Sequence, residues 1–434
     1  MKRISHWILR ILLSVLSLLV ALAAFECTVR KAPSIALSGA TRTFAELKQL
    51  REDGKRRLGS LYGVKKVYAS RDPIWRLGVP GIEYHSYGLD YTARVAYNSM
   101  GIRGREPSAL TGRPIALLLG DSMLEGVHVS FEQTLSHRLE GILDSRGISW
   151  NVVNAGMSGS GTANALHILD HLGPIYRPRK VILFFYLGND LRNNSLLLQT
   201  AWQTSFPILR DRGFYWKSRG GGYRLVEKGT DVRTLLNRSE SDWLRRQVAS
   251  FKECGSSYRK AASNSWLSRN SEAYQLLRYN FGLTDRVLCM PRIDGIPLFL
   301  LFESNHSPGI QDSAWQVTAY LLKRIKATTS RLSADLSVVI FPRRERVDQS
   351  RQDKIFKQYG FRLASNGSDG RLIRILDELG IQWLNLSEDF KQHPSLDSLF
   401  LPVDGHLSAE GHEFTARRVA LSLFGTYADE ANDE

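Results

Sequence analysis

The sequence predicts an α/β protein built around a doubly wound parallel sheet, and two kinds of pattern lead to this prediction. Short apolar runs, each bounded by glycine or proline, alternate with longer segments in which apolar residues recur at helical spacing. Such alternation is typical of a parallel sheet with crossover helices on its faces. In addition, polar loops containing glycine directly follow several of the runs, where open α/β sheets place their ligands.

The first three strands are predicted between residues 115 and 186. The run at 115–119 is too short for a helix, lies between Pro114 and Gly120, and is followed at once by Asp121 and Ser122. The next strands are predicted at 150–154 and 180–186, with helices at 131–144 and from a capping Thr162 through 172.

The alternation resumes towards the carboxyl terminus and completes a five-stranded sheet. Strands are predicted at 336–341 and 381–386, and helices at 314–328, at 369–379, and from the segment 404–412 to about residue 424. Between the two halves, residues 195–308 form a large insertion rich in aromatic residues and arginines, without helix–strand alternation. This insertion is either a lid or glycan-contacting platform, or a small subdomain whose aromatic residues form its own core; the second interpretation is slightly favoured.

The amino-terminal end predicts a membrane anchor. Basic residues precede an apolar stretch at 11–25, which lies in length between a signal peptide and a full membrane span. An uncleaved anchor, with the remaining chain outside the bacterial inner membrane, is favoured over a cleaved export signal in the same compartment. The chain is accordingly divided into four parts. They are an anchor or export signal (1–31), a stalk and amino-terminal extension (32–111, with a polar helix at 43–57), a main α/β domain with the insertion (112–425), and a polar tail (426–434).

Charge and cysteine content limit the partners and the disulfide bonds that are expected for this chain. The net charge is +15 over 434 residues, but lysines and arginines are spread along the chain without a nucleic-acid-binding signature. A nucleic-acid partner is therefore not expected. The three cysteines leave two alternatives: Cys254 pairs with Cys289 while Cys27 stays free, or all three are unpaired thiols.

Four residues at separate strand ends predict acyl-transfer chemistry. Each of them lies at or after the end of a predicted strand, in loops that share one edge of the sheet: Ser122, Gly156, Asn189 and His406. Ser122 is the candidate nucleophile and His406 the candidate base. The backbone N–H groups of Ser122 and Gly156 and the side-chain amide of Asn189 are the candidate oxyanion hole. No metal or cofactor is expected.

With these residues the sequence resembles the SGNH, or GDSL, hydrolase family. The resemblance covers residues 114–424 apart from the insertion, and its four blocks occur in the family's order: Gly120-Asp121-Ser122, Asn154-Ala155-Gly156, Gly188-Asn189-Asp190 and Asp404-Gly405-His406. Residues 98–103 also resemble the segment that precedes the domain in membrane-anchored bacterial members. The resemblance implies a flavodoxin-like five-stranded fold, ester hydrolysis or acyl transfer, and the same roles for Ser122, Gly156, Asn189 and His406.

One position departs from the family pattern. The orienting aspartate usually stands three residues before the histidine, where this chain has Val403. Asp404 stands two residues before His406, a spacing that resembles some polysaccharide-acetylating relatives. Asp404 is therefore expected to orient His406, with a backbone carbonyl or a water as the alternative.

The predicted function is that of an extracytoplasmic serine esterase or acyltransferase that acts on acetyl groups of a polysaccharide or glycan. A lipase or thioesterase is the second enzyme hypothesis, and a metal-dependent hydrolase using Asp121, Asp190, Asp404 and His406 is a third. A non-catalytic scaffold that binds a glycan or a membrane acyltransferase remains a further alternative. Asp121 and Asp190 are expected to brace or cap, and the following histidines to be structural, surface or core residues: His128, His137, His167, His171 and His412.

Overall fold

The computed structural model describes residues 14, 17–28, 46, 49, 67–72, 75–110, 112–205, 215–217, 222–225, 234–247, 249, 292–293, 296–304, 306–363 and 367–425. Most of the predicted stalk helix, most of the insertion, and both Cys254 and Cys289 lie outside the described residues. Cys27 is exposed and makes no disulfide. Among the described residues, no helix combines the length and the apolarity needed to cross a membrane.

Thirteen strands and eleven α-helices have defined bounds within the described ranges. The strands are β1 (Tyr68–Asp72), β2 (Trp75–Gly78), β3 (Glu83–Tyr87), β4 (Thr92–Ala96), β5 (Ile115–Gly120), β6 (Asn151–Gly156), β7 (Lys180–Tyr186), β8 (Tyr215–Lys217), β9 (Tyr223–Leu225), β10 (Arg292–Ile293), β11 (Ile296–Pro297), β12 (Asp335–Phe341) and β13 (Gln382–Asn385). The helices are α1 (Ser122–Glu125), α2 (Leu135–Ser145), α3 (Thr162–Tyr176), α4 (Asp190–Asn193), α5 (Leu196–Ser205), α6 (Pro308–Arg331), α7 (Arg344–Val347), α8 (Gln349–Tyr359), α9 (Ser368–Glu378), α10 (Ser387–Gln392) and α11 (Ala409–Leu423).

The main sheet confirms the predicted doubly wound topology. Its five parallel strands lie in the order β13-β12-β7-β5-β6. Numbered along the chain this is the order 2-1-3-4-5, which is that of flavodoxin-like sheets. The chain reverses its direction of growth after β6, so a crevice forms at the carboxyl ends of β5 and β7.

Helices cover both faces of the sheet, and this explains the uninterrupted apolar runs of the strands. Leu117 and Leu119 pack into one core with residues of α3, α6 and α9, whereas Leu118 between them packs into a second core with residues of α2 and α11. All three leucines are fully buried. A strand that is buried on both faces needs apolar residues at every position, not at alternate ones.

Three local predictions differ from the structure. The predicted helix at 131–144 is a 3₁₀ turn (Phe131–Gln133) followed by α2, because Thr134 between them has an extended backbone. Thr162 is the first residue of α3 rather than its cap, which is Gly161, and its hydroxyl donates to Asp190 Oδ1 instead. The short helices that follow β12 and β13, α7, α8 and α10, were not predicted.

The described part of the amino-terminal extension forms two antiparallel hairpins, β1–β2 and β3–β4. Leu77 of β2 and Ile102, which follows β4, are fully buried in the core that lies under α3. The turn between β3 and β4 contains Asp90 and Tyr91, and both residues contact loops at the carboxyl edge of the main sheet, as described below.

Candidate active site

The turn after β5 presents Ser122 at the carboxyl edge of the sheet. Asp121 caps α1 by accepting the backbone N–H of Met123 on Oδ1 (2.9 Å), so Ser122 is the first helical residue. The other carboxylate oxygen of Asp121 accepts the side-chain N–H of Asn189 (2.8 Å). Asp121 therefore braces the turn, as predicted, and joins it to the loop after β7.

Ser122, His406 and Asp404 form a continuous hydrogen-bonded chain. The Oγ of Ser122 lies 2.8 Å from Nε2 of His406, and Nδ1 of the same ring is hydrogen-bonded to Oδ1 of Asp404. Ser122 follows β5, whereas Asp404 and His406 lie on the loop before α11. The fold thus brings together a nucleophile, a base and a carboxylate that are far apart in the sequence, in the arrangement that activates a serine.

The pKa shifts of Asp404 and His406 suit the activation of a serine. Burial raises the pKa of Asp404, but the hydrogen bond from His406 and the charges of the nearby imidazoles outweigh burial and lower the pKa to about 2. Burial lowers the pKa of His406, but the hydrogen bond and the charge of Asp404 outweigh it and raise the pKa above its ordinary value. An ionised Asp404 beside His406 is an arrangement that can stabilise an imidazolium.

The loop that carries Asp404 is held from outside the main domain. The Oδ2 of Asp90, in the turn between β3 and β4, accepts the N–H groups of Val403 (2.7 Å) and Asp404 (3.1 Å). Within the loop, Leu401 donates its N–H to the carbonyl of His406 (2.7 Å), and Gly405 has a φ of +83°. Sequence reasoning missed Asp90, because it lies in an irregular stretch with no motif around it.

Two predicted members of the oxyanion hole, Asn189 and Gly156, differ in their hydrogen bonds. Asn189, in the loop after β7, donates one side-chain N–H to Asp121 in the turn after β5, and its amide carries a second N–H. The N–H of Gly156, in contrast, donates to Oδ1 of Asn154 (2.9 Å), so it is occupied. Glycine is needed at 156 because a Cβ there would lie 2.7 Å from the backbone nitrogen of Glu125. The prediction that Gly156 supplies a free donor does not match this geometry.

The next glycine of the same loop offers a different donor. Gly159 has a φ of +73°, and its N–H makes no hydrogen bond to any described residue. Its neighbour Ser158 is bound to Glu125 at the end of α1, the helix that begins with Ser122. Gly159 therefore replaces Gly156 as the candidate donor from this loop.

The remaining predicted polar residues are structural. Asp190 is buried, which raises its pKa well above the ordinary value, and it accepts hydrogen bonds from the N–H of Tyr186 (2.9 Å) and the hydroxyl of Thr162 (3.2 Å). His412 is buried in α11, where burial lowers its pKa to about 3, and its Nδ1 accepts the N–H of Leu135 (3.3 Å). Neither residue contacts the serine.

His128 was predicted to be a surface or core residue, and it is buried, but the sequence did not indicate that it packs against His406. Its ring stacks on the ring of His406, with centroids 4.0 Å apart and planes inclined by 21°. Ligand atoms of His128, Asp404 and His406 lie within 4.8 Å of one another. However, a metal ion binds in the plane of an imidazole ring, and two nearly parallel planes do not meet at bonding distance. The cluster as it stands is therefore a hydrogen-bonded triad beside a stacked ring.

A buried carboxylate connects the serine turn to the loop that carries Gly159. Glu125, at the end of α1, is fully buried. Its Oε1 accepts the hydroxyl of Tyr97, and its Oε2 accepts the N–H (2.6 Å) and the hydroxyl of Ser158. Three donors from two different loops therefore donate to one side chain, which no sequence motif had marked.

Replacement of Glu125 by alanine is expected to lower the free energy of unfolding by about 3 kcal/mol, because the buried hydroxyl of Tyr97 and the two half-buried donors of Ser158 lose this acceptor. Glu125→Gln is the matched control. Its amide oxygen can accept from Ser158, and the rotatable hydroxyl of Tyr97 can accept from its amide nitrogen, so a loss of about 1 kcal/mol or less is expected. Denaturant unfolding of both variants measures the difference. Equal losses in the two variants would show that the carboxylate itself is required, since glutamine keeps the shape of the side chain and can keep its hydrogen bonds.

Comparison with known proteins gives similarity to solved structures only. No family model matches the sequence, and no curated protein matches it. Among similar solved structures are the esterase EstA from Pseudoalteromonas sp. (12% identity, TM-score 0.31, covering 71% of this chain and 96% of its own) and a lipase/acylhydrolase from Enterococcus faecalis (12%, 0.33, 70% and 93%). Another is an acetylxylan esterase, Axe2, from Geobacillus stearothermophilus (11%, 0.33, 73% and 97%). With TM-scores this low, the activity of this chain has to be argued from its own site.

Proposed function

We propose that this chain is a serine esterase or O-acyltransferase of the SGNH type. The observation that carries the proposal is the hydrogen-bonded chain from Ser122 through His406 to Asp404 at the carboxyl edge of the sheet. An intact nucleophile, base and orienting carboxylate favour catalysis over the alternative of a non-catalytic scaffold. Asp121 and Asp190, which a metal-dependent hydrolase would use as ligands, instead accept hydrogen bonds from neighbouring protein groups.

The residues of the site divide the proposed reaction into two steps. Ser122 Oγ attacks the acyl carbonyl while His406 Nε2 takes its proton, and the oxyanion is bound by the N–H of Ser122, the amide of Asn189 and the N–H of Gly159. His406 then gives the proton to the leaving alcohol, which leaves an acyl-serine. In the second step His406 deprotonates water or a sugar hydroxyl, which attacks the acyl carbonyl and takes the acyl group. The bond to Ser122 Oγ breaks, and His406 returns the proton to Oγ.

The location and substrate parts of the proposal rest on the sequence. For the location, we place the enzyme outside the bacterial inner membrane, held there by the apolar segment at 11–25. Within that segment residues 17–25 are helical, and Leu18, Leu19, Val20 and Leu22 are more than half exposed. The basic, aromatic-rich insertion favours an acetylated carbohydrate over a long-chain lipid. Transfer in place of hydrolysis would require a sugar hydroxyl as the acyl acceptor. A membrane acyltransferase is the proposed partner protein in that case.

Labelling with a fluorophosphonate tests the proposed nucleophile. The full-length chain is expected to gain the mass of one phosphonyl group, because the reagent reacts only with an activated serine, and Ser122→Ala is expected to gain none. Intact-mass measurement before and after proteolysis locates the adduct. A folded parent protein that takes no label, and that releases no acid from acetyl or longer esters, would contradict the proposal. Faster turnover of long-chain esters than of acetyl esters would instead support a lipase or thioesterase.

A further inference from the structure

His128 lies directly beneath the candidate catalytic histidine. The chain leaves α1 through Gly126, whose φ of +65° reverses its direction, and so brings His128 back towards the loop before α11. The His128 ring then lies against the His406 ring, face to face, at a centroid distance of 4.0 Å. Only 7% of His128 is exposed, so the contact is enclosed by protein.

Tyr91 supports His128 from another side. Its ring meets the His128 ring edge-on, with centroids 4.8 Å apart and planes at 75°. Tyr91 is itself closely packed, since a Cβ on Gly88 would lie 2.3 Å from its ring. The neighbouring Asp90 binds the amides of Val403 and Asp404. The β3–β4 turn therefore contacts both the ring beneath His406 and the backbone beside it.

The contact between the two imidazoles is one of ring faces rather than of charges. Burial and the charge of His406 lower the pKa of His128 to about 3, so His128 is neutral at ordinary pH. Its Nε2 lies 3.4 Å from Oδ1 of Asp404, a distance at which any hydrogen bond is weak. Hydrogen bonds hold the His406 ring only at its two nitrogens. The tilt of the ring is therefore determined by the groups that pack on its face.

We propose that His128, backed by Tyr91, is a positioning residue that fixes the plane of the His406 ring by stacking on it. The role rests on the proposed function, because it matters to catalysis only if His406 activates Ser122. With the ring plane fixed, Nε2 faces Ser122 while Nδ1 faces Asp404. A tilted ring loses the alignment of both bonds at once, and misplacement of a reacting group by about 1 Å costs on the order of 100-fold in rate.

Two substitutions of His128 separate ring stacking from other roles. In His128→Phe an aromatic face remains, and the rate of phosphonylation of Ser122 and kcat for an acetyl ester are expected to stay within about threefold of the parent. In His128→Leu the aromatic face is absent, and both rates are expected to fall roughly 10- to 100-fold with little change in KM. Tyr91→Leu removes only the ring that supports His128, so the phosphonylation rate and kcat are expected to fall by less than in His128→Leu. This variant replaces His128→Leu in the test if His128→Leu does not fold.

A second readout does not depend on activity. The proton between His406 Nδ1 and Asp404 is expected to give a downfield proton NMR signal in the parent chain and in His128→Phe, and a weakened or exchange-broadened one in His128→Leu. Parent-like rates and signal in His128→Leu, or equal losses in both His128 variants, would overturn the proposal. If the parent chain itself takes no phosphonate label, the proposed function fails, whereas the NMR comparison still decides whether His128 positions His406.

Discussion

Replacement of Ser122 by alanine is expected to lower kcat for ester hydrolysis by about 10⁵- to 10⁶-fold, the scale found when a serine nucleophile is removed from an intact triad. Ser122 Oγ is the atom that His406 Nε2 contacts at 2.8 Å, and water in its place would lack a fixed position for attack. The alanine has little effect on folding, because Ser122 is only half-buried and starts a helix whose cap is Asp121. Steady-state rates with an acetyl ester, together with thermal unfolding, measure both effects.

Ser145→Ala is the matched control for this substitution. Its hydroxyl bonds to the carbonyl of Ile142 at the end of α2, remote from the crevice, and its removal is expected to leave kcat unchanged. Ser122→Ala protein that retains more than about one per cent of the parent rate would place the nucleophile elsewhere. Ser158 would then be the next candidate, since its hydroxyl is bound to the buried carboxylate of Glu125 at this edge of the sheet.

The sheet could be predicted from the sequence because each strand and helix leaves a local pattern. β5, β7 and β12 are buried on both faces and are mostly continuous apolar runs, and α2 and α9 repeat their apolar residues at helical spacing. The ends of elements were less predictable. Thr162 has the residue type of a helix cap, yet its hydroxyl is taken by Asp190, a partner that only the folded chain provides.

The catalytic residues could be predicted where they stand in motifs, and their supporting residues could not. Ser122, Asn189 and His406 follow strands or precede a helix in short recognisable segments. His128, Asp90 and Glu125 act through contacts with residues distant in sequence, and such contacts leave no periodic or spacing signal. The Gly156 prediction failed for a related reason: glycine at that position indicates a close approach, but not which group approaches. In the structure that group is the backbone of α1, not a substrate.

Replacement of Asp404 by asparagine is expected to lower kcat by about 10⁴-fold, the loss that accompanies a wrong histidine tautomer. The carboxylate now accepts a hydrogen bond from His406 Nδ1, which keeps a lone pair on Nε2 for the proton of Ser122. An amide N–H turned towards Nδ1 would move the ring proton to Nε2 and remove the base. Asp397→Asn is the control, because Asp397 is largely exposed and pairs with Arg344 away from the triad.

The pH dependence of kcat/KM tests the same assignment independently. His406 must be neutral to act as the base, so the parent rate is expected to rise with pH through the raised pKa of His406, above 6.5. Without the hydrogen bond and the charge of Asp404, burial is left as the dominant influence, and it lowers that pKa. The acid limb of Asp404→Asn is therefore expected below 6.5, provided that its residual rate is measurable. An unshifted limb in this variant would mean that a backbone carbonyl or a water orients His406, and that the two-residue spacing between Asp404 and His406 has no catalytic meaning.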